Sequence, residues 1–233
     1  MRVNALIVAA GKGERMATLL PKPFLPVAGA PLLVHTLRSL ARSTVITRLI
    51  VVVAPEREAF CRDMLDSYGP FGVPLRLVHG GPQRQDSVRL GLVALDPDCE
   101  IVVIHDAARP LIAAEIIDRS VAAAAETGGA LVAVPARDTL KRVGKDGTVV
   151  ETVPRQDLWL AQTPQTFRVP LIREAHARAL TEGVLATDDA ALVERMGGKV
   201  QVVLGDARNF KITTPEDLRL AEVLLQQGLE VKD

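Results

Sequence analysis

Short apolar runs alternate with amphipathic runs along most of the chain. Two apolar runs, NALIVAA at 4–10 and RLIVVVA at 48–54, are typical of strands buried on both faces of a parallel sheet. Between them, PLLVHTLRSLAR at 31–42 repeats apolar side chains every three or four residues, which indicates a helix with one buried face. The alternation predicts an α/β fold in which a mostly parallel sheet has helices on both faces.

The same patterns extend to the rest of the chain. They predict strands at 75–81, 100–110, 130–136 and 199–205, and helices at 57–68, 85–95, 113–129, 169–183, 187–198 and 213–228. Asp86 or Ser87 is expected to cap the helix at 85, and Thr187 the helix at 187. Thr214 and Asp217 have the spacing of a capping box at the start of the last helix.

One segment, 138–155, interrupts this alternation. It is predicted to form a β-hairpin with Asp146-Gly147 in its turn. A lone hairpin is only marginally stable in water, so its apolar side chains need a cover. We expect a projecting arm that pairs with the same arm of a second copy and makes a homodimer. A hairpin folded back onto its own domain is the alternative.

Composition narrows the class of protein. The 233 residues are 48% hydrophobic, which suits a single domain over 1–233, and 28 basic and 28 acidic side chains leave no net charge. Bulk attraction to nucleic acid or to an anionic membrane is therefore not expected.

No apolar run reaches the roughly 18 residues that span a bilayer, and the N-terminus has no secretory pattern, so a cytoplasmic protein is expected. Cys61 and Cys99 fit neither a zinc site nor a disulfide framework, and the four histidines lack metal-ligand spacing.

The loop VAAGKGERM at 8–16 joins two glycines and two cations to the end of the first predicted strand. It matches neither the dinucleotide fingerprint nor the P-loop. Glycines nevertheless let backbone N–H groups approach phosphate oxygens, and Arg15 and the following Lys22 add positive charge. These features predict a polyphosphate site, and an ordinary turn with solvated Lys12 and Arg15 is the alternative.

Two further predicted strands end in glycine or charge. HGGPQRQDSV at 79–88 has a glycine pair, and IHDAARP at 104–110 has Asp106 at the strand end and Arg109 beyond it. Ligands bind parallel sheets outside the carboxyl ends of strands, so these segments are expected to meet the first loop. His105 is interpreted as structural. The aspartates of TDDAA at 187–191 suit a helix start, with a ligand role still open.

The motifs AAGKGERM, LPKPFLPV, GGPQRQDSV, HDAARP, DTLKRV, TPQTF, ATDDA and NFKITTPEDL occur in this order between residues 9 and 218. Together they closely resemble the 2-C-methyl-D-erythritol 4-phosphate cytidylyltransferases of the non-mevalonate isoprenoid pathway. The resemblance implies a Rossmann-like nucleotidyltransferase fold with an extended arm, a homodimer, CTP as donor and release of pyrophosphate. It also implies Mg²⁺, held mainly through the CTP phosphates and not by dedicated side-chain ligands.

Residue roles follow from the resemblance by position. Catalytic roles fall on Arg15 and Lys22, which would stabilise the transition state, and on Arg155 and Lys211, which would position the acceptor phosphate. The CTP pocket would comprise Ala9, Ala10, Gly11, Lys12, Gly13, Gly81, Ser87 and Asp106. Arg109, Thr139 and Thr187 would hold the acceptor, some of them from the partner subunit. Pro23 and Pro82 depart from the family pattern beside the nucleotide loops.

The acceptor chemistry explains why no general acid–base pair is evident. The second pKa of a phosphate monoester is about 6, so at neutral pH the nucleophile is already mostly a dianion. The difficulty is its repulsion from a triphosphate, which clustered cations and backbone N–H groups would offset. A cytidylyltransferase for another polyol phosphate, such as ribitol 5-phosphate, a hexose-1-phosphate nucleotidyltransferase and a non-catalytic nucleotide-binding regulator are the alternatives.

Overall fold

A computed structural model of the chain describes residues 1–11 and 20–227. The strands are β1 Val3–Val8, β2 Pro26–Val27, β3 Ala30–Pro31, β4 Ile46–Val53, β5 Leu75–His79, β6 Ile101–Asp106, β7 Gly129–Pro135, β8 Leu140–Val143, β9 Val149–Val153, β10 Trp159–Arg168 and β11 Gln201–Leu204. The helices are α1 Leu32–Ala41, α2 Glu58–Tyr68, α3 Arg84–Val93, α4 Ala114–Thr127, α5 Val169–Glu182, α6 Asp189–Arg195 and α7 Pro215–Gln226.

Seven of the described strands form one sheet in the order β11-β7-β10-β6-β1-β4-β5. The neighbouring pairs are parallel except at β10, which runs antiparallel to both β6 and β7. The mostly parallel sheet is as predicted, whereas β10 was not predicted. Its insertion places the polar segment 162–166 against the end of β6, beside the predicted site.

Helices cover both faces of this sheet, as the buried strands require. Along β1, Ala5 and Ile7 pack under α1, α2 and α4, while Leu6 packs under α3, α5 and α6. The strands β4 and β6 alternate in the same way, which is the period of two expected of a pleated strand. This two-sided core fixes the strands whose carboxyl ends form the site.

Helix α3 approaches the sheet through Gly91. A Cβ atom at this position would overlap the side chain of Leu6 on β1 and would lie 3.0 Å from Cγ2 of Val52 on β4. Only a glycine therefore permits this helix–sheet distance. The close approach sets where the N-terminus of α3 lies relative to the end of β5.

The predicted hairpin is confirmed as β8 and β9, which form a separate two-stranded sheet. Gly147 has a φ of +82° in the turn, and the Asp146 carboxylate accepts a hydrogen bond from the Thr148 N–H. Val149 and Val150 are 61% and 64% exposed. The part of the chain that the structure describes therefore leaves these two apolar side chains of the arm uncovered.

Two predicted helix caps are wrong. Helix α3 begins after Gln83 without a side-chain cap, and Ser87 instead bonds to the Gly81 backbone. Helix α6 is capped by Asp188, whose carboxylate accepts from the Ala191 N–H, and not by Thr187. The capping box of Thr214 and Asp217 at α7 is confirmed.

Both cysteines are free and buried. Burial raises the pKa of Cys61 to about 12 and also raises the pKa of Cys99, so neither thiol ionises readily. The helices within 1–11 and 20–227 are all too short or too polar to cross a bilayer.

Candidate active site

A cavity of about 1090 Å³ opens at the carboxyl ends of β1, β4, β5 and β6. Strands β4 and β5 lie on one side of β1 and β6 lies on the other, so the strand order reverses at β1. Parallel sheets bind ligands in the crevice at such a point. Of the residues predicted from the sequence, the cavity is lined by Ala9, Ala10, Gly11, Lys22, Gly81, Ser87, Asp106 and Lys211. The three strand-end motifs therefore meet, as their positions predicted.

Backbone hydrogen bonds fix the bases of the cavity loops. The Ala9 N–H donates to the Val52 carbonyl at 2.8 Å, and the Gly80 N–H donates to the Val53 carbonyl at 2.7 Å. The Ala107 N–H donates to the Val8 carbonyl at 3.2 Å. These bonds continue the sheet ladder past the strand ends, so the loops leave the sheet in fixed directions.

The glycine pair after β5 is required for close packing. A Cβ at Gly80 would lie 2.6 Å from Cβ of Ala10 and 2.7 Å from Oγ of Ser87. The Gly81 N–H donates to Ser87 Oγ at 3.1 Å, and Ser87 is almost fully buried. The pair therefore brings the loop after β1 and the start of α3 together at the cavity floor.

Lys22 lies in a 3₁₀ turn, Lys22–Phe24, and is only 7% exposed although its side chain borders the cavity. Pro23 occupies the first turn of this short helix, where no N–H is needed, so its departure from the family pattern is accommodated. Phe24 packs edge-on against Phe60 of α2, with ring centroids 5.3 Å apart. This contact anchors the turn that presents Lys22.

Asp106 is surrounded by three cations. Its carboxylate lies 2.8 Å from Nζ of Lys211, 3.3 Å from Nε of Arg84 and 3.7 Å from Nε of Arg109. Burial alone would raise the pKa of Asp106, but Arg84, Lys211 and Arg109 together hold it well below its usual range. The carboxylate is therefore ionised at physiological pH and suits cation or hydroxyl binding better than proton transfer.

Arg84 is a cavity residue that sequence reasoning missed. It bridges Asp106 and Asp189, with Nη1 2.8 Å from the Asp189 carboxylate. The available signal was its place in GGPQRQDSV, three residues after the glycine pair and at the first position of α3. Its partners lie too far along the chain for local patterns to reveal them.

Other predicted site residues lie away from this cavity. Arg109 is buried behind Asp106 and donates to the Asn209 carbonyl at 2.7 Å. Thr139, Arg155 and Thr187 are exposed and do not border the cavity, so their acceptor contacts stay predictions. Three predicted residues, Lys12, Gly13 and Arg15, lie outside the described residues.

His105 is structural, as interpreted from the sequence. Its Nε2 lies 3.0 Å from the Arg109 carbonyl, so this nitrogen donates, and Nδ1 accepts from the Thr163 hydroxyl at 3.0 Å. The Asp106 N–H donates to the same hydroxyl at 3.1 Å. His105 thus connects β10 to the strand end that presents Asp106.

Protonation of His105 should destabilise the protein. Burial lowers the pKa of His105 to about 4, so below the ordinary value of 6.5 the unfolded chain binds a proton that the native state refuses. We expect the free energy of unfolding to fall by about 1.4 kcal/mol per pH unit between pH 6.5 and 4 from this group. Urea unfolding across that range measures it.

The matched variant is His105→Gln, which should be less stable at pH 7 and should show a shallower pH dependence. Burial also lowers the pKa of His35, so some slope of the same sign should remain. Equal slopes in the two proteins would contradict the assignment.

The carboxylates lining the cavity within the described residues are Asp106 and Glu56. In 1–11 and 20–227, no group of three or more His, Cys, Asp or Glu side chains is arranged to hold a metal. This donor set fits Mg²⁺ bound through substrate phosphates and one or two carboxylates, and it does not form an all-protein cage.

A mostly parallel sheet with a glycine-bordered, cation-rich cavity at its carboxyl edge is the Rossmann-like arrangement expected of a nucleotidyltransferase, and the chain is an enzyme of this class. The family model for 2-C-methyl-D-erythritol 4-phosphate cytidylyltransferase (IspD) matches residues 3–227. The chain therefore belongs to the 2-C-methyl-D-erythritol 4-phosphate cytidylyltransferase family.

Individual relatives agree with this assignment. Proteins named 2-C-methyl-D-erythritol 4-phosphate cytidylyltransferase from Geotalea uraniireducens and Caldanaerobacter subterraneus subsp. tengcongensis are 49% and 45% identical, each over 97% of this chain and over 97% and 100% of their own lengths. The crystal structure of the cytidylyltransferase from Thermus thermophilus is similar with a TM-score of 0.80 and 38% identity, covering 96% of this chain and 98% of that one. The 4-diphosphocytidyl-2C-methyl-D-erythritol synthase from Anaerococcus prevotii gives a TM-score of 0.84 at 33% identity, covering 97% and 98%.

Proposed function

We propose that this enzyme transfers the cytidylyl group of CTP to 2-C-methyl-D-erythritol 4-phosphate, giving 4-diphosphocytidyl-2-C-methyl-D-erythritol and pyrophosphate. The observation that supports this most directly is the composition of the cavity. Lys22 and Lys211, from opposite ends of the sequence, line the same crevice as the glycine loops and Asp106. One space thus offers positive charge to two phosphate-bearing substrates.

The reaction needs charge stabilisation more than proton transfer. An oxygen of the acceptor phosphate forms a bond to the α-phosphorus of CTP, and the bond from that phosphorus to the β-phosphate bridge breaks. Lys22, together with Arg15 seven residues earlier in the sequence, is proposed to stabilise the negative charge that develops there. Backbone N–H groups near Gly11 and Gly81 are proposed to contact the nucleotide.

Mg²⁺ is proposed to bind mainly through the CTP phosphates, and Asp106 is the cavity carboxylate that would help to hold it. When bound, the ion would neutralise phosphate charge and help orient the triphosphate. Asp106 is ionised and lies at the end of β6, so it can contribute an oxygen without prior deprotonation.

The acceptor is proposed to bind beside Lys211 at the cavity, with further contacts from the arm. Thr139 and Arg155 flank the hairpin β8–β9, and Lys211 lies in the loop after β11. A homodimer through the arm would bring some of these groups from the partner subunit. A cytoplasmic location is proposed on the sequence evidence alone.

Removing the charge of Lys211 or Arg155 should weaken binding of the acceptor more than binding of the nucleotide. In Lys211→Ala and Arg155→Ala we expect the KM for the acceptor to rise by about 10-fold to 100-fold, because a charge-assisted hydrogen bond is lost. Lys211→Ala should still fold, since Arg84 and Arg109 remain beside Asp106. Steady-state kinetics with each substrate varied in turn measures the effect.

Lys199→Ala is the matched control, because Lys199 is exposed and precedes β11. It should leave both KM values unchanged. A rise in the KM for CTP alone would show that the acceptor roles are wrongly assigned.

Pyrophosphate release from CTP, measured with a panel of polyol phosphates, tests the proposed function. Methylerythritol phosphate should give the highest kcat/KM, and UTP, ATP and GTP should be poor donors. Faster turnover with ribitol 5-phosphate would assign the enzyme to that substrate instead. If CTP binds but no acceptor in the panel causes pyrophosphate release, the result would support a non-catalytic regulator.

A further inference from the structure

A row of polar and ionisable side chains leads away from the cavity into the domain. Arg84 donates from Nε to Asp106 in the cavity and from Nη1 to Asp189 behind it, at 3.3 Å and 2.8 Å. The other oxygen of Asp189 lies 3.0 Å from Nε2 of His176 on α5. The side chains of Asp189 and His176 are 1% and 2% exposed, so this end of the row is shielded from water.

Capping does not explain why Asp189 is buried and charged. Asp188 already caps α6, and the N–H groups of Asp189 and Ala190 both donate to Oε1 of Gln165 at 2.9 Å. Gln165 thus holds the backbone of Asp189. The Asp189 carboxylate does not cap the helix and instead binds Arg84 and His176. Burial would raise its pKa, but His176 and Arg84 lower it, so the carboxylate is charged.

A buried charge is costly unless it is paired, and Arg84 and His176 are the partners of Asp189. Arg84 would otherwise be a long side chain with many rotamers at the cavity edge. Its two carboxylate contacts hold the guanidinium in one place, where it neutralises part of the charge on Asp106. Lys211 shares that same carboxylate at 2.8 Å.

We infer that Asp189 is a positioning residue for the transfer reaction. It fixes Arg84, and Arg84 in turn holds Asp106 and limits how strongly Asp106 retains Lys211. His176 fixes Asp189 from the opposite side. With Asp189 neutral, Arg84 loses the anchor at Nη1 and its guanidinium leaves Asp106. Asp106 then binds Lys211 more tightly and makes it less available to a substrate phosphate. This inference rests on the proposed function, because Lys211 is proposed there to bind the acceptor.

The test compares the same substitution at two aspartates. Asp189→Asn should lower kcat/KM for the acceptor by about 10-fold to 100-fold. Asp66→Asn should retain wild-type kinetics, because Asp66 is exposed on α2 and does not line the cavity. Thermal unfolding of both variants checks that the fold is kept. Wild-type kinetics in a folded Asp189→Asn protein would overturn the inference.

A double-mutant cycle with Arg84→Met shows whether Asp189 acts through Arg84. If it does, Asp189→Asn should cost little more activity once Arg84 is gone. Fully additive losses would mean that Asp189 acts by another route, and they would overturn the inference. If Asp189→Asn does not fold, the cycle is run with His176→Leu, which should give a smaller loss that also disappears in the Arg84→Met background.

A second readout does not depend on turnover. In the ¹⁵N NMR spectrum of the substrate-free protein, the Nε–H signal of Arg84, assigned with Arg84→Lys, should be protected from solvent exchange. Asp189→Asn should abolish that protection and Asp66→Asn should keep it. If the wild-type enzyme releases no pyrophosphate, the proposed function fails, yet this measurement still decides whether Asp189 positions Arg84. Unchanged protection in Asp189→Asn would overturn the inference.

Discussion

Lys22→Met should lower kcat by about 10²-fold to 10³-fold, which is typical of removing one donor that stabilises transition-state charge. Methionine keeps most of the length and volume of the lysine stem, so the substitution removes mainly the charge. That matters because Lys22 is 7% exposed and packs within the turn Lys22–Phe24. Steady-state pyrophosphate release at saturating substrates measures the loss.

Binding of CTP to Lys22→Met should weaken less than turnover, because the charge is proposed to act as the α-phosphorus changes geometry. Calorimetric titration with CTP separates the two effects. Lys199→Met, at an exposed site before β11, is the matched control and should behave as the wild type. Near-normal kcat in Lys22→Met would show that the lysine is only part of the turn.

The second large effect is expected from the arm. Replacing residues 141–151 by a short glycine linker should give a folded monomer that binds CTP but turns over poorly. The described chain leaves Val143, Val149 and Val150 more than half exposed, and Trp159 and Leu160 at the start of β10 are 42% and 54% exposed. A second copy of the arm is the proposed cover for these side chains.

Sedimentation velocity of the deletion protein, with CTP titration and turnover measured on the same sample, tests this expectation. Val149→Lys in the full-length chain should also weaken the dimer, since a charge would be placed in the proposed interface. Lys145→Ala, near the hairpin turn, is the control and should stay dimeric. A deletion protein that remains dimeric would exclude the arm as the main contact.

Local rules predicted the elements whose partners are close in sequence. The alternation of apolar runs identified β1, β4 and β6, and the Asp146-Gly147 pair identified the hairpin. Strand β10 was missed because WLAQTPQTFR is half polar and contains a proline. Its membership of the sheet depends on β6 and β7, which no local pattern encodes.

The two wrong caps have a related cause. Several capping residues stood together, and contacts from elsewhere in the fold decided among them. Ser87 bonds to Gly81 instead, and Gln165 on β10 donates to the Asp188 carboxylate that caps α6. Capping propensity narrows the choice to a few positions, and tertiary hydrogen bonds select one.

Strand-end reasoning predicted the cavity, because the carboxyl ends of parallel strands must share one edge. It correctly grouped Gly81, Asp106 and the loop after β1. It could not predict that Arg84 pairs with Asp189, since those residues are 105 positions apart and are brought together by the packing of α3 against α5 and of α5 against α6. Such pairings depend on the complete fold.

Gly91 limits how the sequence can evolve. The position contributes no chemistry, yet any larger residue would push α3 away from Leu6 and shift the glycine pair and Arg84 at the cavity floor. A lineage could replace Gly91 only together with a smaller residue at position 6. The larger residue at 91 alone would clash with Leu6, and the smaller residue at 6 alone would leave a cavity, so each single change gives a poorly packed protein. Selection should therefore hold this helix position almost as strictly as the lysines proposed to bind the substrates.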